Sequence, residues 1–322
     1  MLQCAAYGFV DKKMDISRYS VVVLAAGDGA RLKSSVPKVF HKIGGLSLVD
    51  HVIKSVLESG IGDVRVVIRP EHEIFFHSEF KEKISMVYQA SPLGTGDAVK
   101  CAIGDMNPSA EEFVYLLYAD IPFVSENTLR KLADVALSCD RTAATVLAMN
   151  SVGSRALGRL DPAETEGVIK GVVESQDVSV ATDRFLPLCN AGLLVRKDAL
   201  LNLIGRINPS PITGEIYVTD IVRLAHEAGY VCRYHVADVT ELSGANTRDE
   251  LSVLEWYFQQ KMRQKHLANG VTLVAPETAF FSFDTIVEND VTINPFVVFG
   301  RHVHIKSGSI IESFCHIEGS EV

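Results

Sequence analysis

From Val287 onward an apolar residue stands at every sixth position: Val287, Ile293, Phe299, Ile305, Ile311 and Ile317. A second set, Val291, Val297, Val303, Ser309 and Cys315, keeps the same interval. An α-helix repeats near 3.6 residues and a flat strand at 2, so neither produces this period. A parallel β-helix does, because each six-residue side of a triangular coil sends one apolar residue inward with a small residue flanking it. The six positions amount to about two coils at three sides each. The last fifty residues are therefore expected to form the start of a hexapeptide parallel β-helix, over 271–322.

Upstream the pattern changes to α/β. Short β-branched or aromatic runs at 21–26, 63–68, 84–88 and 113–118 read as buried strands. Leu48, Val49, Val52, Ile53, Val56 and Leu57 recur at helical spacing until Gly60. Residues 97–104 and 126–138 read as further helices, the second capped by Ser125. Strand alternating with helix predicts a Rossmann-like, mostly parallel sheet with helices on both faces, and ligands at the carboxyl ends of its strands. Further strands are expected near 142–149, 167–174, 190–195 and 231–236. A long helix over 247–266 is expected to end at Asn269-Gly270. The resulting organisation is an extension at 1–18, a first domain at 19–246, a linker helix at 247–270 and the β-helix. In "LEWYFQQKM" the single tryptophan, Trp256, reads as part of a packing stripe.

Bulk properties exclude several classes. A formal net charge of -9 over 322 residues and no basic stripe argue against a nucleic-acid partner. No apolar run nears the ~20 residues of a bilayer span, so membrane insertion is not expected. Six cysteines without a C-x-x-C pair suit reduced thiols, and no signal peptide opens the chain, so a cytoplasmic protein is expected.

Three stretches carry chemistry. "VVVLAAGDGARLKSSVPK", 21–38, ends a strand in a glycine-rich bend followed by Arg31 and Lys38. Leu32 occupies the place where both the dinucleotide fingerprint and the P-loop require glycine, so it matches neither. Gly27 and Gly29 still allow backbone N–H groups close to a polyphosphate, and Arg31 and Lys38 supply charge for a transferring phosphoryl group. An ordinary βα turn with solvated cations is the competing reading. "YAD", 118–120, puts Asp120 at a strand's carboxyl end, a position suited to Mg²⁺. "QASPLGTGDA", 89–98, offers a tight loop where Gln89 can donate to and accept from a planar base. His302 and His304 read as surface side chains of the β-helix.

Together these motifs resemble the sugar-1-phosphate nucleotidyltransferases, most closely the branch that uridylylates N-acetylglucosamine-1-phosphate as the first half of a bifunctional bacterial enzyme. The resemblance runs from about residue 19 to the end and rests on motifs in family order. These are "LAAGDGARL" with "PKV", "QASPLGTGDA", "YAD", "GRL", "VVES", "NAG", "GEIYVTD", "GAN" and then the hexapeptides. It implies transfer of UMP from UTP to N-acetylglucosamine-1-phosphate with Mg²⁺, giving UDP-N-acetylglucosamine and pyrophosphate for cell-envelope precursors. It implies catalytic roles for Arg31 and Lys38, and Leu24, Ala25, Ala26 and Gly27 bordering the nucleotide. Gln89, Gly94 and Thr95 would read uracil, and Asp120 and Asn246 would hold Mg²⁺. Gly158, Glu174 and Asn190 would contact the N-acetylglucosamine moiety, Tyr217 and Thr219 would line the sugar pocket, and Tyr118 would be a further substrate-binding residue.

The sequence departs from that pattern at Asp28, at Ala30 for a usual Thr, at Ala119 for Gly, at Asp97 for His and at Gln176 for Lys. The resemblance also implies that the hexapeptides start a left-handed parallel β-helix, and a homotrimer through it. The family's acetyltransferase site lies in later coils, so acetyl transfer is not expected from these residues. Two alternatives stay open: a nucleotidyltransferase for another sugar phosphate, a molybdenum-cofactor or a cytidylyl substrate, and an inactive scaffold of the same fold.

Overall fold

A computed structural model of the chain describes residues 15–107, 112–150, 158–176 and 185–322. Most of the expected 1–18 extension lies outside them. The chain divides into two compact units. The first comprises residues up to Gly29, Ser35–Val39 and Val49–Ser243; the second comprises Ala30–Ser34, Phe40–Leu48 and Gly244–Val322.

In chain order, β1 (Ser20–Leu24) is followed by the two-residue strands β2 (Lys42–Ile43) and β3 (Leu46–Ser47), and then by helix α1 (Leu48–Glu58). Val49, Val52, Ile53 and Val56 give α1 its buried face, and Gly60 at φ +89° stops it. Next come β4 (Asp63–Ile68), β5 (Ser85–Tyr88), α2 (Thr95–Ile103), β6 (Phe113–Tyr118) and α3 (Glu126–Leu137). Ser125 caps α3 as expected, its hydroxyl accepting from Thr128 N at 3.2 Å.

The first unit continues with β7 (Thr142–Asn150), β8 (Arg159–Pro162), β9 (Ile169–Val173), β10 (Leu188–Arg196), α4 (Lys197–Leu203), α5 (Asp220–Glu227), β11 (Val231–Ala237) and α6 (Val239–Leu242).

The central sheet runs β11-β7-β10-β6-β1-β4-β5. β6, β1, β4 and β5 are parallel neighbours, as the strand–helix alternation predicts. β10 is different: it lies antiparallel between β6 and β7 and carries the β8–β9 hairpin on its flank. Leu24 pairs with both Val67 and Tyr118, and Ile68 pairs with Tyr88. The carboxyl ends of four parallel strands therefore finish level along one edge. Val21, Val22 and Val23 are fully buried, which is why these strands read as unbroken apolar runs.

In the second unit, α7 (Arg248–Ala268) begins with a capping box of Thr247 and Glu250. It buries Leu254, Phe258 and Met262, while Trp256 stays 56% exposed beside Tyr257. The expected packing stripe is therefore carried by the first three residues, on the opposite side from the tryptophan. After α7 come eight short strands in three parallel stacks. Ile293 pairs with Ile311 and Val287 with Ile305, eighteen residues on, so three six-residue sides close one coil. Val287, Ile293, Phe299, Ile305 and Ile311 are all buried. A further period of six marks the corners: Asp290, Phe296, His302, Gly308 and Phe314 all have φ between +58° and +80°. His302 thus sits at a corner, not on the strand that holds His304, and both imidazoles face carboxylates, Asp284 and Glu288.

Candidate active site

The level strand ends of the first unit open into a cleft of about 340 Å³. Leu24, Ala26, Gly27, Lys38, Gln89, Gly94, Thr95, Tyr118 and Asp120 all line it. These nine expected site residues come from three strands, β1, β5 and β6, and their following loops. Ala25 does not join them. It is fully buried, and its amide donates to Val67 O at 2.9 Å, completing the sheet.

The glycine-rich bend has a definite geometry. Gly29 holds φ +66°, and a Cβ there would lie 2.3 Å from the Cβ of Lys38. Glycine is thus required twice, for the left-handed backbone and for the approach of Lys38. A Cβ on Gly27 would meet nothing within 4 Å, which leaves that stretch of backbone open toward the cleft. Lys38 follows Pro37 and extends its ammonium to the carboxylate of Asp120, with the two side chains 13% and 22% exposed.

Asp28 is not an unopposed charge in the glycine-rich bend. Arg69 donates to its carboxylate at 2.6 Å and reaches Glu71 at 3.3 Å. Arg69 also lines the cleft and is a cation that sequence reasoning missed. Its signal was positional: it directly follows β4, whose carboxyl end lies beside that of β1. Ala119 likewise turns out differently from its position beside Asp120. It is fully buried and its amide donates to Leu24 O at 3.1 Å, so the extra methyl occupies core space and not the cleft.

The loops "QASPLGTGDA" and "GEIYVTD" are zipped together. Ile216 N donates to Leu93 O, Gly96 N donates to Ile216 O, and Val218 N donates to the Thr95 hydroxyl at 3.0 Å. A Cβ on Gly94, at φ +114°, would lie 2.5 Å from Ile216 O. This close pairing sets Gly94 and Thr95 at the cleft. It also carries Tyr217 and Thr219 to a second cleft of about 550 Å³, which Glu174 lines with them.

Thr219 donates its hydroxyl to Glu174 Oε1 at 2.7 Å. Gly158 packs against Glu174, since a Cβ there would come 3.2 Å from Oε2. Asn190 is buried, and its amide N–H donates to Gly158 O at 2.9 Å. Its side chain donates from Nδ2 to the Tyr118 hydroxyl at 3.0 Å. Burial, and after it the charge of Glu174, pushes the Tyr118 phenol well above its ordinary range, so it stays protonated. Gln176 is exposed in the turn after β9.

Arg31 and Asn246 belong to the second unit, where Arg31 Nη2 donates to Asn246 Oδ1 at 2.9 Å. Asn246 is held from behind by the start of α7, because Glu250 accepts from its amide N–H. Arg248 in the same turn donates to Leu32 O at 3.2 Å, fixing the segment that bears Arg31. Among the described residues no three His, Cys, Asp or Glu side chains gather into a set that could hold a metal. No described helix is long and apolar enough to cross a membrane.

A level row of parallel strand ends, a glycine bend closing on a lysine and a strand-end aspartate define a nucleotide-handling α/β domain. Residues 21–203, more than half of the chain, match the MobA-like NTP transferase domain. Bifunctional protein GlmU of Paramagnetospirillum magneticum is 38% identical over 315 residues, covering 96% of this chain and 68% of that relative. GlmU of Hyphomonas neptunium is 35% identical over 94% of this chain and 65% of its own length. That of Xanthobacter autotrophicus is 36% identical over 94% and 67%. The chain thus spans about two thirds of the length of these relatives. It belongs to the GlmU family of sugar-1-phosphate nucleotidyltransferases.

Proposed function

We propose that the protein transfers UMP from UTP to N-acetylglucosamine-1-phosphate, releasing pyrophosphate. The observation that carries this reading is the cleft in which Lys38 and Asp120 meet beneath the glycine bend, with Gln89, Gly94 and Thr95 along its side. The triphosphate would lie along the bend, met by backbone N–H groups near Gly27 and by Lys38, with Arg31 as the further cation. The base would lie against Gln89, Gly94 and Thr95. The acetamido sugar would lie toward Tyr118, Gly158, Glu174, Asn190, Tyr217 and Thr219.

A phosphate monoester with a second pKa near ~6 is already ionised near neutrality, so the attacking oxygen needs no general base. That agrees with the chemistry of the cleft, where the phenol of Tyr118 is held protonated and the reactive groups are cations and carboxylates. What the residues supply is position and charge.

Mg²⁺ fits the donor set: the hard carboxylate of Asp120 lines the cleft at the end of β6, and Mg²⁺ commonly binds through one or two carboxylates plus substrate phosphates. When bound it would neutralise charge developing on the phosphates. Asn246 is the second ligand implied by the family, and Arg31 already engages its side-chain oxygen. The same reading places the reaction in the cytoplasm, toward cell-envelope precursors. It includes assembly in threes through the β-helix, which the outward-facing, stacked Phe296 and Phe314 support.

A panel assay tests the substrates. Pyrophosphate release is measured for UTP, CTP, GTP, ATP and dTTP against N-acetylglucosamine-1-phosphate, glucose-1-phosphate and glucosamine-1-phosphate. UTP with the acetylated amino sugar should give the highest kcat/KM. A higher value for any other pair would replace this assignment.

A further inference from the structure

Gln89 is 3% exposed, and its side chain has little freedom. Its Nε2 donates to Asp97 Oδ2 at 2.8 Å and to Gly94 O at 3.1 Å. A primary amide nitrogen has two hydrogens, so both are used. Neither a carboxylate nor a backbone carbonyl can donate in return, so the amide cannot be reversed without setting two acceptors against its oxygen. Gln89 N donates to Ile68 O, which fixes the backbone of the same residue to β4. The one group left over is Oε1. It makes no hydrogen bond among the described residues, and Gln89 lines the cleft.

From this geometry we infer that Asp97 is a positioning residue for base choice: it locks the Gln89 amide so that Gln89 presents an acceptor alone to the cleft, which selects a pyrimidine bearing N3–H. This rests on reading the cleft as the nucleotide site. Uracil carries a donor at N3 between two carbonyl oxygens, and Oε1 can accept from it. Cytosine carries a lone pair at N3, which would face Oε1 with no hydrogen between them. A site built to bond one polar group rejects an analogue lacking it strongly, because its own buried polar atom is then left unpaired. Asp97 makes no contact with substrate in this account and acts only through Gln89. It also stands where the family pattern has histidine, whose ring nitrogens can donate as well as accept and so would not impose one amide orientation.

The test compares UTP and CTP, which share their phosphates, so the ratio of their dissociation constants isolates the base. Binding is measured by titration calorimetry with the wild-type protein, Asp97→Ala and Asp97→Asn. The wild type should favour UTP by roughly 10²-fold or more, a conservative fraction of what paired-group rejection can reach. Asp97→Ala leaves only the longer bond to Gly94 O, and the ratio should fall about tenfold, a change of ~1.4 kcal/mol. Asp97→Asn can still accept through Oδ1 and should keep the wild-type ratio, which a merely structural loss would not predict. An unchanged ratio in Asp97→Ala, or wild-type binding of CTP as tight as UTP, overturns the inference. Tight UTP binding without turnover of N-acetylglucosamine-1-phosphate would instead overturn the proposed sugar substrate, and the Asp97 comparison would still be read from binding.

Discussion

Lys38 and Asp120 stand 82 residues apart in the chain and form an ion pair at the carboxyl edge of the sheet. Two groups with separate proposed roles, one toward phosphate and one toward metal, thus neutralise each other. Arg69 and Asp28 repeat the arrangement at the other side of the bend. An entering triphosphate with its metal would satisfy each cation with an anion and free the Asp120 carboxylate. The cleft therefore holds these four charges in opposite pairs.

Asp120→Asn tests that exchange. The side chain is partly exposed at a strand end, so the fold should survive with little change in melting temperature. Turnover at fixed Mg²⁺ should fall on the order of 10²-fold, in line with loss of one preorganised charge, and the Mg²⁺ needed for half-maximal rate should rise. Wild-type kinetics across a Mg²⁺ titration would remove Asp120 as a ligand.

Arg31→Ala separates catalysis from stability. Arg31 is exposed and its one described hydrogen bond is to Asn246, so unfolding in urea should shift by no more than ~0.5 kcal/mol. Pyrophosphate release should drop ~10²-fold. Retention of full activity would show that Arg31 does not meet the phosphates.

Gly29→Ala asks whether the bend exists to aim Lys38. A methyl at φ +66° and 2.3 Å from Lys38 Cβ must push the lysine away. A displacement of about an ångström at a reacting group can cost ~10²-fold in rate, and kcat should fall by that order. An unaltered kcat would mean the approach of Gly29 to Lys38 has no catalytic consequence.

The second unit should be acid-sensitive through His266. His266 is 2% exposed, its Nε2 is buried without a hydrogen-bond partner, and its ring lies tilted against Phe281 with centroids 4.6 Å apart. Burial, with Lys265 nearby, lowers its pKa to about 4 from an ordinary 6.5. The unfolded chain binds the proton first. The stabilisation from keeping His266 neutral is therefore complete above pH ~6.5, and it is lost as the pH falls toward about 4. The full span is on the order of 3 kcal/mol. Thermal melts over that window should show a falling midpoint, and His266→Phe should flatten the fall. An equally steep decline in the variant would assign the sensitivity to other groups.

Much of this was legible in the chain, for physical reasons that differ by region. The β-helix announced itself because each side must send one residue inward, which makes the period of six visible in apolar residues alone. Its corners were not legible, because Asp290, Phe296, His302, Gly308 and Phe314 share a backbone conformation and no side-chain chemistry. The strand ends that build the cleft could be read from unbroken valine and leucine runs, and Gln89 and Asp120 from their places just after them. The direction of β10 could not, since an antiparallel strand buried on both faces has the same apolar composition as a parallel one. The partners of Asp28 and Asp97 were hidden too. Arg69 lies far away in sequence, and the Gln89–Asp97 bond depends on how the loop at Gly94 folds back.

In the proposed reaction UMP passes to the sugar phosphate by attack at the α-phosphorus of UTP. The direct measurement uses UTP labelled at the α-phosphate, incubated with N-acetylglucosamine-1-phosphate, Mg²⁺ and the protein, with products separated and counted. All transferred label should appear in UDP-N-acetylglucosamine, with equimolar unlabelled pyrophosphate, and a chelator should stop both. Label in free UMP or pyrophosphate, or no UDP-sugar at all, would contradict the account.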